Sequence, residues 1–399
     1  MIQRTPHKFR PFPPLPPGSW LGLLGGGQLG RMFCSAAQSV GFRVCVLDPN
    51  GDSPAGTVAD RHIQADYLDG PALAELSSLC VAVTTEFENV PARALEILAE
   101  HLVVSPAADA VAIAQDRIAE KNFVQECGLA VAPFAEIHSA DDILAAPEKL
   151  FPGVLKISQL RAKGVKQSLV ANRDEAQSAF VAMGGVACVL ERHLAPITEL
   201  SVVVARGFDG ETVPYPVAEN VHGKGILLRS SAPARIEASL AREATNAAVR
   251  IAHTIEYVGV LCVEFFVLAD GSLVVSELSP RPHNSGHYTI DACVTSQFEQ
   301  QVRVMAGWPL GGTQQHEPAV MINVLGESWF AGPDWTRREP DWRRVVMHPR
   351  AKLHLYGKPD PRPGRKMGHI TVMGDSVEQA AGLAQRIADD LSIGGNPPA

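Results

Sequence analysis

Short apolar runs alternate with amphipathic stretches from Trp20 onward. Residues 20–24 predict a strand, 28–40 a helix ended by Gly41, and 43–47 a second strand closed by the turn Asp48-Pro49-Asn50-Gly51. Residues 81–84 and 102–104 predict further strands, with a helix over 91–100 between them. Strands alternating with helices in this way imply a parallel sheet covered on both faces. The pattern changes near residue 116: a helix over 116–127 ends at Gly128, then come a strand over 154–157, a helix over 174–183 and a strand over 186–190. Asp209-Gly210 joins apolar runs 200–206 and 212–217 as a hairpin, and Asp270-Gly271 makes a second hairpin after a long helix over 236–257. The break Trp308-Pro309-Leu310-Gly311-Gly312 suggests a boundary, after which the chain reads as a small α/β or β-rich unit to about residue 390. Prolines 11, 13, 14, 16 and 17 make residues 1–18 an extended or disordered tail, without the apolar core of a secretory signal.

Composition narrows the function. A chain of 399 residues, 46% apolar and 20% charged, suits a globular protein of roughly two to four domains. The net charge of −8 argues against a duplex nucleic-acid binder, and no apolar run approaches the ~20 residues of a membrane span. Seven cysteines, without a CxxC, lie mostly inside apolar runs such as RVCVLD and VLCVEFF. Buried reduced thiols, and hence a cytoplasmic location, are expected.

Two segments carry candidate chemistry. Gly25-Gly26-Gly27-Gln28-Leu29-Gly30 links the first strand to the first helix, with Asp48 ending the next strand. Such a turn either offers backbone N–H groups to a phosphate or nucleotide or is a tight turn needing small residues; its strand–turn–helix context favours the ligand. The more informative segment is VLCVEFFVLADGSLVVSELSPR, residues 260–281. A two-residue turn at Asp270-Gly271 sets Ala269 opposite Ser272 and Glu264 opposite Glu277. Two carboxylates then share one face among Val263, Phe265, Val275 and Leu278, where like charges repel. A hard divalent cation converts that repulsion into attraction, and Mg²⁺ commonly takes one or two carboxylates together with phosphates. A one-residue slip would leave a solvent-facing edge pair instead.

A strand bearing one Glu, a tight turn, and a second Glu followed by Pro280-Arg281 resembles the Mg²⁺-ATP site of ATP-grasp enzymes. Pro282-His283-Asn284-Ser285-Gly286-His287-Tyr288, with GGGQLGRM (25–32), EFENV (86–90), AQDRIAEK (114–121) and RPGRKMGH (362–369), resembles the N5-carboxyaminoimidazole ribonucleotide synthase family. The resemblance spans residues 20–370 and implies an α/β and α+β architecture. Its parts would be a Rossmann-like pre-ATP-grasp domain (19–115), an ATP-grasp domain (116–312, lid about 150–206) and a small C-terminal domain (313–390).

The implied activity is carboxylation of 5-aminoimidazole ribonucleotide with ATP and bicarbonate through carboxyphosphate, in purine synthesis. It implies Mg²⁺, with Mn²⁺ as an alternative, at Glu264 and Glu277, small-molecule substrates and a homodimer. ATP would meet Arg117, Lys156, Gly164, Gln167, Glu191, Arg192, His193, Leu194, Glu199, His222, Ser276 and Glu277. Of these, Arg117 and Lys156 would face phosphates, residues 191–194 would form the adenine hinge, and Glu199 would hold the ribose. Substrate contacts would come from Gln28, Leu29, Glu86 and Asn284, and a cationic loop of Lys358, Arg362, Arg365 and Lys366 would take its phosphate. Lys156, Arg281 and Lys366 are the catalytic candidates.

The family's loop Gly-Tyr-Asp-Gly-Lys-Gly-Gln appears here as Arg161-Ala162-Lys163-Gly164-Val165-Lys166-Gln167. Only Gly164 and Gln167 persist, which reduces backbone freedom to wrap phosphates. A nucleotide-binding paralogue with impaired carboxylation is therefore an alternative, as is another ATP-grasp ligase or a formate-using transformylase. A nicotinamide-dependent dehydrogenase would explain the glycine turn and Asp48 but not Lys156 or the acidic hairpin.

Overall fold

Three sheets organise the chain. In the computed structural model, which describes residues 13–159, 166–331, 335–391 and 393, the first sheet has five parallel strands. Their order is Arg61–Ile63, Arg43–Leu47, Trp20–Leu24, Ala82–Thr85, Val103–Val104. The strands are nearly all-apolar because helices cover both faces. Helix Gln28–Ser39 packs Leu29, Phe33 and Ala37 on one face, and helices Gly70–Leu79 and Ala92–Ala99 pack Leu73, Leu76, Leu95 and Leu98 on the other. Strand order reverses at Trp20–Leu24, so a crevice opens at the carboxyl ends of the first and fourth strands, where the glycine turn and Glu86 lie.

The second sheet is antiparallel, in the order Phe134–Ile137, Cys188–Arg192, Gly153–Ile157, Gln167–Val170. The third has nine strands. Its main path runs Leu273–Ser279, Gly259–Val267, Thr198–Arg206, Ala218–Gly223, Ile226–Ala232, Ala319–Leu325, Lys366–Met373, Ala351–Leu355, and Thr212–Pro214 pairs beside Thr198–Arg206. Helix Ala238–Thr254 lays Ala244, Ala247, Ala248 and Ile251 on Val202, Val204, Leu261 and Val263.

Two expectations, the lid and the tail, need correction. The segment expected as a lid, 150–206, is divided: the smaller sheet begins already at Phe134, while 198–206 is a nine-residue strand of the large sheet. The expected boundary at 308–312 is a connection within one continuous sheet: Ala319–Leu325 pairs directly with Ile226–Ala232 and the later strands extend the same ladder. Pro/Gly punctuation marks the connection, and sheet continuity is decided by long-range pairing. Of the proline-rich tail, residues 1–12 lie outside the described residues, but 13–18 are anchored. Leu15 donates its N–H to Ala306 O (2.8 Å) and accepts the Trp308 indole N–H (3.0 Å).

Gln301 joins the first and third sheets. Its amide Nε2 reaches Thr84 Oγ1 (3.2 Å) and Ser105 Oγ (3.1 Å), and its Oε1 accepts the Val260 N–H (2.8 Å). Replacing this buried amide by Leu strands the Val260 N–H. Gln301→Leu is expected to cost on the order of 3 kcal/mol of stability, measurable by chemical denaturation.

Candidate active site

The hairpin Gly259–Val267/Leu273–Ser279 sets Glu264 opposite Glu277, the expected pairing, but by another route. Leu268, not Ala269, faces Ser272: its N–H donates to Ser272 O (3.0 Å), and Gly271 N–H donates to Leu268 O (2.9 Å) with Gly271 at φ 82°. The turn thus has three residues closed by a left-handed glycine. That lengthening sets Phe265 opposite Val275, one residue out of the expected register. A bulge between Glu264 and Phe265, with Ser276 as the extra residue, restores the register at the carboxylates.

The carboxylates are held under electrostatic pressure. Glu264 Oε1 is buried and has no hydrogen-bond partner among the described residues. Burial, then Glu277, push the Glu264 carboxyl up to about 7. A third carboxylate, Glu120 of helix Arg117–Glu126, accepts the Leu278 N–H (2.5 Å), and burial, then Glu277, push it up to about 8. Glu199 pairs with His222; burial opposes the imidazolium, but the bond to Glu199 outweighs it and raises His222. An orphaned carboxylate oxygen beside a second carboxylate fits a hard cation. Among the described residues no three His, Cys, Asp or Glu side chains converge as a complete ligand set. A cation here would therefore need further oxygens from water or a phosphate.

Two lysines approach from the smaller sheet and its neighbouring helix. Lys156 Nζ lies 3.1 Å and Lys121 Nζ 3.2 Å from Glu191 Oε2. Burial opposes the Glu191 charge, but Lys156 and Lys121 outweigh it and hold the carboxyl below its ordinary range. Glu191, expected in the adenine hinge, thus serves as counter-ion to two lysines. In that hinge, Arg192 N–H donates to Pro133 O (2.8 Å) and His193 N–H to Pro152 O (3.0 Å), while Leu194 N–H makes no such bond among the described residues. Arg117 opens its helix with its N–H on Ser158 O (3.0 Å). Gln167 is exposed opposite Lys156. Gly164 and the neighbouring residues 161, 162, 163 and 165 lie outside the described residues.

The glycine turn is filled from within. Gly26 N–H donates to Asp48 Oδ2 (2.7 Å), Gly27 N–H to Glu86 Oε1 (2.6 Å) and Gly30 N–H to Glu86 Oε2 (2.8 Å). A Cβ on Gly27 would stand 2.3 Å from Glu86 Oε1. The turn therefore binds the protein's own carboxylates, and the phosphate reading of its N–H groups is overturned. Leu29 is core rather than contact surface. Gln28, in contrast, donates to Asn284 Oδ1 (3.1 Å) and accepts from Lys358 Nζ (2.5 Å), which also donates to Lys366 O (2.6 Å). Arg281 donates to Glu88 Oε2 (2.5 Å). The expected cationic loop divides: Lys358 and Lys366 meet here, Arg365 donates to Asp360 O (2.6 Å), and Arg362 is exposed.

Known proteins resemble this chain along most of its length. Residues 19–115 match the ribonucleotide synthetase preATP-grasp domain, 122–298 the ATP-grasp domain, and 319–382 the phosphoribosylaminoimidazole carboxylase C-terminal domain. An N5-carboxyaminoimidazole ribonucleotide synthase of Brucella melitensis is 43% identical over 360 residues, covering 90% of this chain and 97% of its own. This chain belongs to the N5-carboxyaminoimidazole ribonucleotide synthase family. A synthetase crystal structure in complex with ADP superposes at TM-score 0.87 with 38% identity, covering 96% of this chain and 100% of that one. An Aspergillus clavatus synthase bound to ADP and 5-aminoimidazole ribonucleotide superposes at 0.83 with 29% identity, covering 94% and 99%.

Against this synthase frame, the reading of the sequence missed Lys121, Glu120 and Glu88. The first two sit three and four residues beyond Arg117, a spacing that clusters side chains on one helical face, so AQDRIAEK held the signal.

The acidic pair predicts a pH effect on the metal-free protein. A carboxyl whose folded value exceeds its unfolded one opposes folding wherever the unfolded chain is ionised. For Glu264 that cost is absent below about 4.5 and complete above about 7. With chelator present, Glu264→Gln is expected to gain about 1–2 kcal/mol at about pH 8 and far less at about pH 5, read by denaturation.

Proposed function

We propose that this chain carboxylates 5-aminoimidazole ribonucleotide to N5-carboxyaminoimidazole ribonucleotide, using ATP and bicarbonate, in purine synthesis. The observation that carries the proposal is the union of Gln28, Asn284 and Lys358, from three distant stretches of chain, in one hydrogen-bonded row. Beside it stands Lys366, within electrostatic reach of Glu264 and Arg281. A polar row of this kind suits a small phosphorylated ribonucleoside, and the acidic pair beside it suits the cation that accompanies ATP.

In this reading Glu264 and Glu277 would hold Mg²⁺, or Mn²⁺ in its place, whose chemistry is to neutralise phosphate oxygens. Lys121 and Lys156 stabilise charge on the phosphates by position, with Glu191 as their resting partner. The Leu194 N–H donates to the adenine edge, and Glu199, oriented by His222, accepts from the ribose hydroxyls. Bicarbonate attacks the γ-phosphorus to give carboxyphosphate and ADP. The exocyclic amine of the aminoimidazole then takes the carboxyl group as the bond to phosphate breaks, releasing inorganic phosphate and the amine's proton. Gln28, Asn284, Lys358 and Lys366 orient that second substrate, and bringing the amine to the reactive carboxyl is the main catalytic demand. The proposal includes a homodimer, testable by sedimentation, and a cytoplasmic location, which seven buried cysteines suit.

The deciding experiment is ADP release with bicarbonate, with and without 5-aminoimidazole ribonucleotide. Strong stimulation by the ribonucleotide is expected. Release indifferent to it would leave the paralogue with impaired carboxylation as the better reading.

Burial, then Arg281, lower Lys366 to about 8, and burial, then Arg365, lower Lys358 to about 8. Both are charged below that pH and neutral above it. The KM for the ribonucleotide is therefore expected to rise above about pH 8. Lys366→Met is expected to lower kcat/KM by about 10²- to 10³-fold and to flatten the pH response, measured by initial rates.

A further inference from the structure

We infer that Glu120 is a positioning residue, which sets where the Glu277 carboxylate stands by gripping the backbone of the next residue. The strand Leu273–Ser279 is the edge of the nine-stranded sheet, so half of its N–H groups face away from the neighbouring strand. In an unbroken strand such groups recur every second residue. Val275 faces outward and donates to Ala130 O (2.8 Å), which would make residue 277 the next outward donor. The extra residue at the bulge shifts the phase, and the outward donor is Leu278. Glu120 Oε1 receives that N–H at 2.5 Å.

Glu120 is well placed to impose a position. It is 5% exposed. Its helix is fixed at the start by Asp116, which caps the Ile118 and Ala119 N–H groups and accepts the Gln159 side-chain amide (2.6 Å). At the next residue, Lys121 is locked to Glu191 (3.2 Å). One helical turn thus ties the smaller sheet, the lysine pair and the bulged strand together. An edge strand interrupted by a bulge has lost part of its ladder. The Glu120 carboxyl supplies the missing constraint one residue from Glu277, as groups behind a ligand commonly orient it.

This inference rests on the reading of Glu264 and Glu277 as cation ligands, and the test separates the two. Calorimetric ADP affinity is measured with Mg²⁺ and with chelator, and the ratio gives the gain due to the cation. In Glu120→Gln the acceptor oxygen stays in reach and the charge is gone; in Glu120→Asp the charge stays and the acceptor is withdrawn by one methylene. If position matters, Glu120→Gln keeps the gain within about threefold and Glu120→Asp loses about tenfold of it, with ADP affinity in chelator unchanged in both. The opposite order, equal loss in both, or no loss in either overturns the inference. Thermal melts confirm that each variant is folded. Glu277→Gln is the control: if it retains the gain, the cation reading itself falls, and the Glu120 inference with it.

Discussion

Two carboxylates facing each other in a largely apolar sheet repel, and the site is arranged around that repulsion. Glu264 carries it most heavily, with one oxygen unpartnered and its carboxyl pushed up by burial and by Glu277. His222 and Lys366 offset part of the charge on Glu264, and Arg281, paired with Glu88, lies within reach of Glu277. These cations come from strand Ala218–Gly223, the segment after the hairpin and strand Lys366–Met373. Balance at the acidic pair therefore requires distant parts of the chain to be docked together, and the same docking unites Gln28, Asn284 and Lys358.

The docking relies on side-chain amides buried in the helix Gln297–Met305. Gln297 holds the His283 backbone through both its N–H and its carbonyl (2.9 and 2.7 Å), Gln300 clasps Gly311 (2.6 and 2.9 Å), and Gln301 bridges the first and third sheets. Each amide is both donor and acceptor, so a glutamine can satisfy two buried backbone groups without introducing charge. The result is a rigid mount beneath residues 283–287, close to Asn284 and to the strand that carries Glu264.

Much of this was legible in the chain. Periodicity placed the strands and helices it named to within two or three residues, because each buries an apolar face, and it named none after residue 312. The acidic pair was also legible, although two errors cancelled: Asp270-Gly271 alone does not distinguish a two-residue turn from a three-residue one, and no local signal marks the bulge at Ser276. The glycine turn misled for a different reason. Its N–H groups point at an anion, as the motif suggests, but the anion is Glu86, 56 and 59 residues further along the chain, and only the folded sheet shows that it arrives there first. Lys121 and Glu120 lay within a segment already singled out, yet their importance depends on Glu191 and Leu278, which no spacing connects to them.

The continuity of the large sheet bears on how the protein is made. Strand Ile226–Ala232 finds its outer neighbour only in Ala319–Leu325, and that strand in turn in Lys366–Met373. A chain emerging from the ribosome therefore carries an unsealed β-edge until residues 319–325 have appeared, and such an edge invites association with other chains. Lys358 and Lys366 are completed in the same late stretch that seals it. Synthesis thus finishes the protective seam and these two lysines together, and premature termination would yield a sticky fragment rather than a weakly active enzyme.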